Sequence, residues 1–530
     1  MLERVDTKPG VVKIKIKSGM FHRWNIPDFK NLLNMKIYRR EFIKTSIAGG
    51  AGLLLSHRVF GTPQHPVKGA NDRINVAVIG VRGIGTSHIS SYRRQPDDVR
   101  IVALCDCDTE CLDRELARLE KDNIKALGYQ DLRKLYENKD IDAVSIGMPN
   151  YWHALATVWA CQAGKHVCVE KPVSHSIWEG RKMVEAARKY NRLVQADLDT
   201  RSNSSVAAAI DYMQKNMGKV LYVRIVNYKR RESIGKIMGP GIIPKTCDYN
   251  LHSGPVPMMP LPRKELHYDW HWQWYTGNGE LGNNGPHQLD FCRWALGKSN
   301  LPRKVFSFGG RFGYIDDGNV PNTQVAWYDY DGIPVIYDSR ALGERAGVDN
   351  MDGFTGYTAT GKKVHHPYKG NANCSIYIFC EKGYLTGNAI FDNDGVLVKN
   401  FDEPRVGPQF NFIKALKSGK KEDLKTDILE GHLSATISHI GNISYQTGYR
   451  AGLAELRKTA GEYKYLDNVL LGFEEHLRLN GLDPEKEEIY LGTDLQFDSQ
   501  TERFTGVHSD IANLFLKDSY REPFVIPENV

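Results

Sequence analysis

Between residues 73 and 196 the chain alternates short, mostly apolar runs with stretches whose apolar residues recur at helical spacing. The runs are Ile74–Ile79, Val99–Leu104, Ala143–Ile146, His166–Val169 and Leu193–Ala196; the helical stretches include Leu112–Leu119, Tyr151–Ala163 and Ile177–Tyr190. Continuous apolar strands are buried on both faces, and a helix after each strand is the crossover that parallel pairing needs. The pattern predicts an α/β domain over 73–200. Past residue 200 the spacing changes. Val220–Tyr228, Lys304–Phe312, Thr323–Tyr330, Pro334–Arg340, Ser375–Glu381 and Val396–Lys399 read as strands divided by turns such as Asp331-Gly332 and Lys382-Gly383. That predicts a mostly antiparallel sheet domain over 201–530. A Gly/Pro/Trp-rich segment, 235–290, interrupts the sheet. Helices are expected at Phe410–Leu416, Asp427–Leu453 and Asn468–Leu479, and the last forty residues read as loop with short apolar anchors.

Composition narrows the class. With 530 residues, 41% hydrophobic and 25% charged, the chain has the make-up of a globular protein of several domains, not of a disordered, collagen-like or disulfide-stapled one. The net charge of +7 is unevenly placed: residues 1–60 hold 12 Lys+Arg against 4 Asp+Glu, leaving 58 against 59 elsewhere. The globular part therefore carries no basic excess, and nucleic acid is not expected as a partner. Within 35–65, Tyr38-Arg39-Arg40-Glu41-Phe42-Ile43-Lys44 leads into Thr45–Ser56, a small-residue apolar run. It is shorter than the ~20 residues of a membrane span and resembles a twin-arginine export signal. The expectation is a periplasmic or otherwise exported protein that folds in the cytoplasm, uses the twin-arginine machinery, and does not span the membrane once the signal is removed. Residues 1–34 precede Met35, where such a leader would begin, and are expected to be an over-long, unstructured start. The nine cysteines are scattered and form no disulfide framework. Cys105, Cys107 and Cys111 read as a strand end and helix start, and no metal is expected.

The chemistry begins at Arg73–His88. Gly80, Arg82, Gly83 and Gly85 lie between a strand and a helix start, where a glycine turn lets backbone approach a pyrophosphate at a helix N-terminus. Gly80 and Gly85 fill the first and third glycine positions; Arg82 stands at the second, with Gly83 beside it. Asp106 follows Gly85 by 21 residues, near the ~20 expected of the acid that binds the adenosine ribose. A carboxylate there repels a 2′-phosphate, so NAD is favoured over NADP; Asp108 is a nearby substitute. With Ile141–Val144, Pro149-Asn150-Tyr151-Trp152-His153 and Glu170-Lys171-Pro172, the chain resembles the Gfo/Idh/MocA oxidoreductases, and the resemblance continues through Gly282–Asp290. It implies a Rossmann domain and a sheet domain that forms a homo-oligomer. It also implies cofactor contacts from Asn150, His153, Glu170 and Lys171, with Lys171 at the junction of nicotinamide and substrate.

Moving a hydride off an alcohol carbon needs a base for the hydroxyl proton and a donor near the developing carbonyl. Lys171 and His287 are the expected catalytic pair, with His287 the base. Asn283 and Asp290 lie three or four residues from His287 along a helix and so share its face: Asn283 to bond a hydroxyl, Asp290 to orient the imidazole. Trp270 and Trp274, in His267–Tyr275, suit stacking on a sugar ring; His267 and His271 lack a convincing set of further ligands. Arg201 and Ser202 are further candidates for substrate contact.

An exported NAD enzyme must carry its cofactor with it, because free NAD is not expected outside the cytoplasm. Each oxidation must then be followed by a reduction in the same site. The expected function is an oxidoreductase acting on a sugar or glycoside hydroxyl with tightly held NAD. The alternatives are an NAD-dependent glycosidase working by transient oxidation, elimination and re-reduction, and a non-catalytic Rossmann-fold binding protein.

Overall fold

The structure is a computed structural model and describes residues 2–8, 11–16, 73–342, 354–366 and 372–530. It divides into two units, Met1–Pro66 and Val67–Val530. In the first, β1 (Leu2–Lys8) and β2 (Val11–Ile16) pair antiparallel with Lys8 opposite Val11. These two strands lie within the stretch 1–34 expected to be unstructured, the remainder of which is outside the described residues. The Val-Val-Lys-Ile-Lys-Ile run alternates with period two after a Pro9-Gly10 turn signal, a hairpin pattern masked by its high charge. The twin-arginine segment lies outside the described residues.

The second unit opens with six parallel strands: β3 (Ile74–Ile79), β4 (Val99–Cys105), β5 (Leu127–Tyr129), β6 (Ala143–Ile146), β7 (His166–Glu170) and β8 (Val194–Asp197), in the order β5-β4-β3-β6-β7-β8. Every residue of β3 is buried, as expected of a central strand covered on both faces. The crossover helices include α1 (Ile84–Arg93), α2 (Thr109–Lys121), α3 (Asn150–Gln162) and α4 (Ile177–Lys189). Strand order reverses between β4 and β6 on either side of β3, so the ligand crevice of such a sheet opens at the C-terminal ends of these strands.

Among the described residues the next domain holds a twelve-stranded sheet. Its centre is β9 (Val220–Lys229), β10 (Lys304–Gly310), β11 (Thr323–Tyr330) and β12 (Ile333–Arg340), joined by Ala372–Cys380. Pairing is antiparallel except between β9 and β12. Asp331 and Gly332 both have positive φ, 52° and 87°, the two-residue turn that follows the twist of a hairpin. Helices α5 (Gly279–Asn283), α6 (Gly285–Ala295) and α7 (Ile428–Gln446) cover one face.

Three boundaries differ from expectation. The helix predicted over Asp427–Leu453 stops at Gln446, because Tyr449–Ala451 leaves it to pair with Ile489–Leu491. The last forty residues include Leu495–Asp498 and Arg503–Thr505, a short antiparallel pair. The chain after 201 does not stay in the second domain. Phe412, Ile413 and Leu416 pack with Val76 and Val78 of β3, and Phe524, Ile526 and Val530 pack with Trp152. These returning segments cover faces of the Rossmann layer that would otherwise leave apolar surface in water. Among the described residues no helix is long and apolar enough to cross a membrane.

Candidate active site

A cavity of about 410 Å³ runs from the glycine turn, across the ends of β3, β4 and β7, to α5 and the aromatic segment of the second domain. At one end Gly80 has φ 77°, and a Cβ there would stand 2.7 Å from the Gly147 carbonyl oxygen. A Cβ on Gly85 would stand 1.8 Å from the Gly80 carbonyl oxygen, so only glycine lets α1 start this close to the turn. Gly83 has φ 50° and no atom within 4 Å of a Cβ built on it; it supplies the backbone freedom that Arg82 lacks. Arg82 is exposed on the cavity rim.

Asp106 lies at the end of β4 and lines the same cavity. Its carboxylate accepts the amides of Val81 (3.0 Å) and Asp108 (3.0 Å), and burial holds its pKa above the usual range despite those bonds. Asp108 is no substitute for it. That carboxylate caps α2 through the Glu110 amide and pairs with His267 Nε2 at 3.0 Å, tying the aromatic segment to the Rossmann domain. Asp108, Cys111 and His267 bring ligand-type atoms within 4.8 Å of one another, partners for His267 that sequence spacing concealed.

Lys171 follows β7. Its Nζ donates to Asn283 O (3.1 Å) and Asn283 Oδ1 (3.3 Å) on α5, so the end of β7 meets the end of α5. Glu170 is a support for this lysine: one oxygen bonds His88 Nε2 at 3.0 Å and the other accepts the Lys171 amide at 3.1 Å. His153 is also a brace. Its ring nitrogens lie 2.7 Å from the Pro172 and Met148 carbonyl oxygens, clamping the Lys171 loop to the turn after β6. Asn150 donates to Asn278 Oδ1 at 2.6 Å, and its own amide oxygen is buried with no partner. An unpaired acceptor beside an open cleft is the mark of a site built for a ligand.

The expected single helix through Asn283, His287 and Asp290 is broken at Asn284: Asn283 ends α5, while His287 and Asp290 lie on α6, and His287 is not part of the cavity wall. Its Nδ1 is buried without a partner. Burial and the charge of Lys171, with Lys229 adding to them and Asp197 opposing, push its pKa down to about 3. The ring is therefore neutral at ordinary pH. Asp290 does not orient it. That carboxylate is fully buried against Arg201 Nε (2.9 Å) and Ser434 Oγ (2.8 Å), while Arg201 also pairs with Glu430 at 2.9 Å. Both residues lie outside the cavity wall and lock α6 to α7; Ser202 is buried beside them in sequence. Asp290→Asn is expected to cost about 3 kcal/mol of stability, as the breaking of a buried pair does. Substrate KM of the folded fraction should stay within about twofold, checked by urea melts and steady-state kinetics.

Of the two tryptophans, Trp270 lines the cavity and stacks on His271 with ring centroids 3.6 Å apart. Trp274 faces away, against Tyr445. Sequence reading missed Lys229, Arg231, Tyr268, Asn278 and Asn284 in the wall. Glu280, buried, holds Arg231, Asn227 and Asn284 in place. The position of Glu280, three residues before Asn283 on a helix, was the one sequence signal for that network.

Residues 74–198 match the profile described as the oxidoreductase family with an NAD-binding Rossmann fold, GFO_IDH_MocA. The Rossmann domain belongs to the Gfo/Idh/MocA family. A glycosyl hydrolase family 109 protein of Shewanella pealeana is 30% identical over 173 residues, 29% of this chain and 38% of that protein. The match thus spans well under half of that relative. A levoglucosan dehydrogenase of Pseudarthrobacter phenanthrenivorans is 23% identical over 412 residues, 72% of this chain and 94% of the other. In fold, the chain is similar to the crystal structure of an oxidoreductase domain protein from Kribbella flavida: TM-score 0.52, 17% identity, over 70% of this chain and 96% of that one. The family is one that binds NAD, and the turn at Gly80–Gly85, the open backbone at Gly83 and the unpaired Asn150 oxygen fit that group.

Proposed function

We propose that the chain is an exported enzyme that moves a hydride between a sugar or glycoside hydroxyl carbon and a tightly held NAD. The observation that carries this reading is the Lys171–Asn283 contact, which sets an ammonium group where the nucleotide cleft meets the aromatic segment. Bound NAD supplies the hydride acceptor. The backbone of Gly80–Gly85 and the N-terminus of α1 would hold its pyrophosphate, and Asp106 its adenosine ribose. The Lys171 ammonium donates to the reacting oxygen, stabilising charge that grows there as the carbonyl forms. Asn283 keeps the lysine aimed. His287, neutral and with an unshared ring nitrogen but set outside the cavity wall, is the proposed acceptor of the hydroxyl proton for a substrate that reaches past Lys171, and Trp270 offers its face to the apolar side of the sugar ring. Export rests on Arg39-Arg40 and the apolar run after them.

The test is spectroscopic. Purified protein, denatured, should release NAD at about one per chain, and adding a substrate sugar to the native protein should raise absorbance at the reduced-nicotinamide band. Protein that releases no nucleotide and binds none added would overturn the proposal. The similarity to a family 109 glycosyl hydrolase supports a second reading, NAD-dependent glycoside cleavage, but it spans only 29% of this chain and 38% of that protein. Release of an aglycone without net reduction would select it.

A further inference from the structure

The substrate end of the cavity has a charge imbalance. Three cations line it, Lys171, Lys229 and Arg231. Arg231 is neutralised by Glu280. Lys171 donates to the two oxygens of Asn283, which are neutral acceptors. Lys229, the last residue of β9, has no side-chain hydrogen bond or ion pair among the described residues, although it lies in the cavity wall and is half-buried.

The carboxylates of the wall, among the described residues, are all engaged elsewhere. Asp106 accepts two backbone amides at the adenosine end, Asp131 is taken by Arg133, and Glu170 by His88 and the Lys171 amide. Among the described residues, two ammonium groups thus share a cleft with no free counter-charge, and both act on His287. A cleft lined by one sign of charge concentrates ligands of the other, and an amine in a partly dry site gains most from a partner that is itself charged.

We propose that Lys229 is the receptor for a carboxylate carried by the sugar whose hydroxyl lies at Lys171, so that the substrate class is acidic sugars, uronates or aldonates. This rests on the proposed hydride transfer for its placement of the reacting hydroxyl. The carboxylate is unchanged in the reaction: the carbon–hydrogen bond gives its hydrogen and two electrons to NAD, and the hydroxyl gives its proton to His287. A negative charge at Lys229 also offsets one of the two cations that hold down the basicity of His287, so the true substrate improves its own base.

Binding and turnover are measured separately on the full-length, cofactor-loaded protein. Tryptophan fluorescence is titrated with glucuronate, galacturonate and gluconate, and in parallel with glucose, galactose and methyl glucuronate ester; reduction of bound NAD is then followed with each. At least one acid should bind about tenfold or more tighter than its neutral counterpart. Lys229→Met should remove most of that preference and Lys229→Arg should keep it, with melting temperatures reporting that both fold. If no acid is preferred over its neutral partner, or if Lys229→Met keeps the preference, the proposal is wrong. Acid-selective binding that is lost in Lys229→Met, with no reduction of NAD by any sugar, would support the carboxylate receptor and overturn the hydride-transfer reading instead.

Discussion

Lys171→Met should lower the rate of sugar-dependent reduction of bound NAD by about 10²–10⁴-fold, the range for losing a positioned proton-transfer or charge-stabilising group. Methionine keeps the length and packing of the side chain, so the loop between β7 and α4 stays in place. The ammonium that bridges to Asn283 disappears. NAD released on denaturation should remain about one per chain, and the melting temperature should move by only a few degrees. Single-turnover absorbance measurements with saturating sugar separate chemistry from binding. A variant that turned over within about threefold of the wild type would show that Lys171 is not at the reacting oxygen. A further consequence concerns His287: removing one of its two cationic neighbours raises its pKa, because a nearby positive charge disfavours the protonated ring. Any residual activity should therefore show an acidic limb at higher pH than the wild type, whose His287 is neutral down to about 3.

His88→Ala should cost about 3–5 kcal/mol of stability, because it leaves two carboxylates together without a counter-charge. In the folded protein His88 Nε2 lies 3.0 Å from Glu170 and 3.2 Å from Asp197, and Nδ1 lies 3.0 Å from Ser145 Oγ. All four side chains are buried. Burial opposes the charged ring, yet the bonds to Asp197 and Glu170 outweigh it and lift the His88 pKa to about 10. The Glu170 carboxyl, in spite of burial, is held below its usual range by His88. Asp197 is raised by burial and by the neighbouring Glu170. The sign of the pH dependence follows. A histidine raised from about 6.5 contributes its full stability below that value and loses it as pH climbs through about 10. Wild-type stability should thus fall between about pH 7 and pH 10, and that slope should be much reduced in His88→Ala. Urea melts at pH 6.5 and pH 9.5 test both statements. Equal stability of variant and wild type at pH 6.5 would mean that the cluster is solvated or neutral. Because Glu170 also accepts the Lys171 amide, the variant should lose turnover as well as stability.

Much of this architecture was readable beforehand, for identifiable reasons. The strands β3, β4, β6, β7 and β8 announce themselves as short, mostly apolar runs because burial on both faces favours apolar residues. Gly80 and Gly85 are legible because no other residue tolerates the approaches found there. Asp331-Gly332 marked its hairpin through the positive φ it requires. The short strand Leu127–Tyr129 escaped notice because it is an edge, with two of its three residues exposed. The α7 boundary was misread because Tyr449–Ala451 is recruited by Ile489–Leu491, forty residues away.

The active site shows where local reasoning stops. Helical spacing put Asn283, His287 and Asp290 on one face, but the helix breaks at Asn284 and leaves Asn283 on α5 and the other two on α6. Only the packed protein reveals that Asn283 turns to Lys171 while Asp290 is consumed by Arg201. Trp270 and Trp274 are equivalent as residues in an aromatic run, and the return of the chain at Tyr445 separates them. The linear order of residues determined the elements, the nucleotide turn and the lysine at the end of β7, since these depend on backbone conformation and on neighbours a few positions away. Partnership among charges was decided in three dimensions. Whether a buried aspartate, histidine or lysine serves the ligand or the scaffold depends on which opposite charge lies within a few ångströms, and that neighbour arrives from anywhere in the chain.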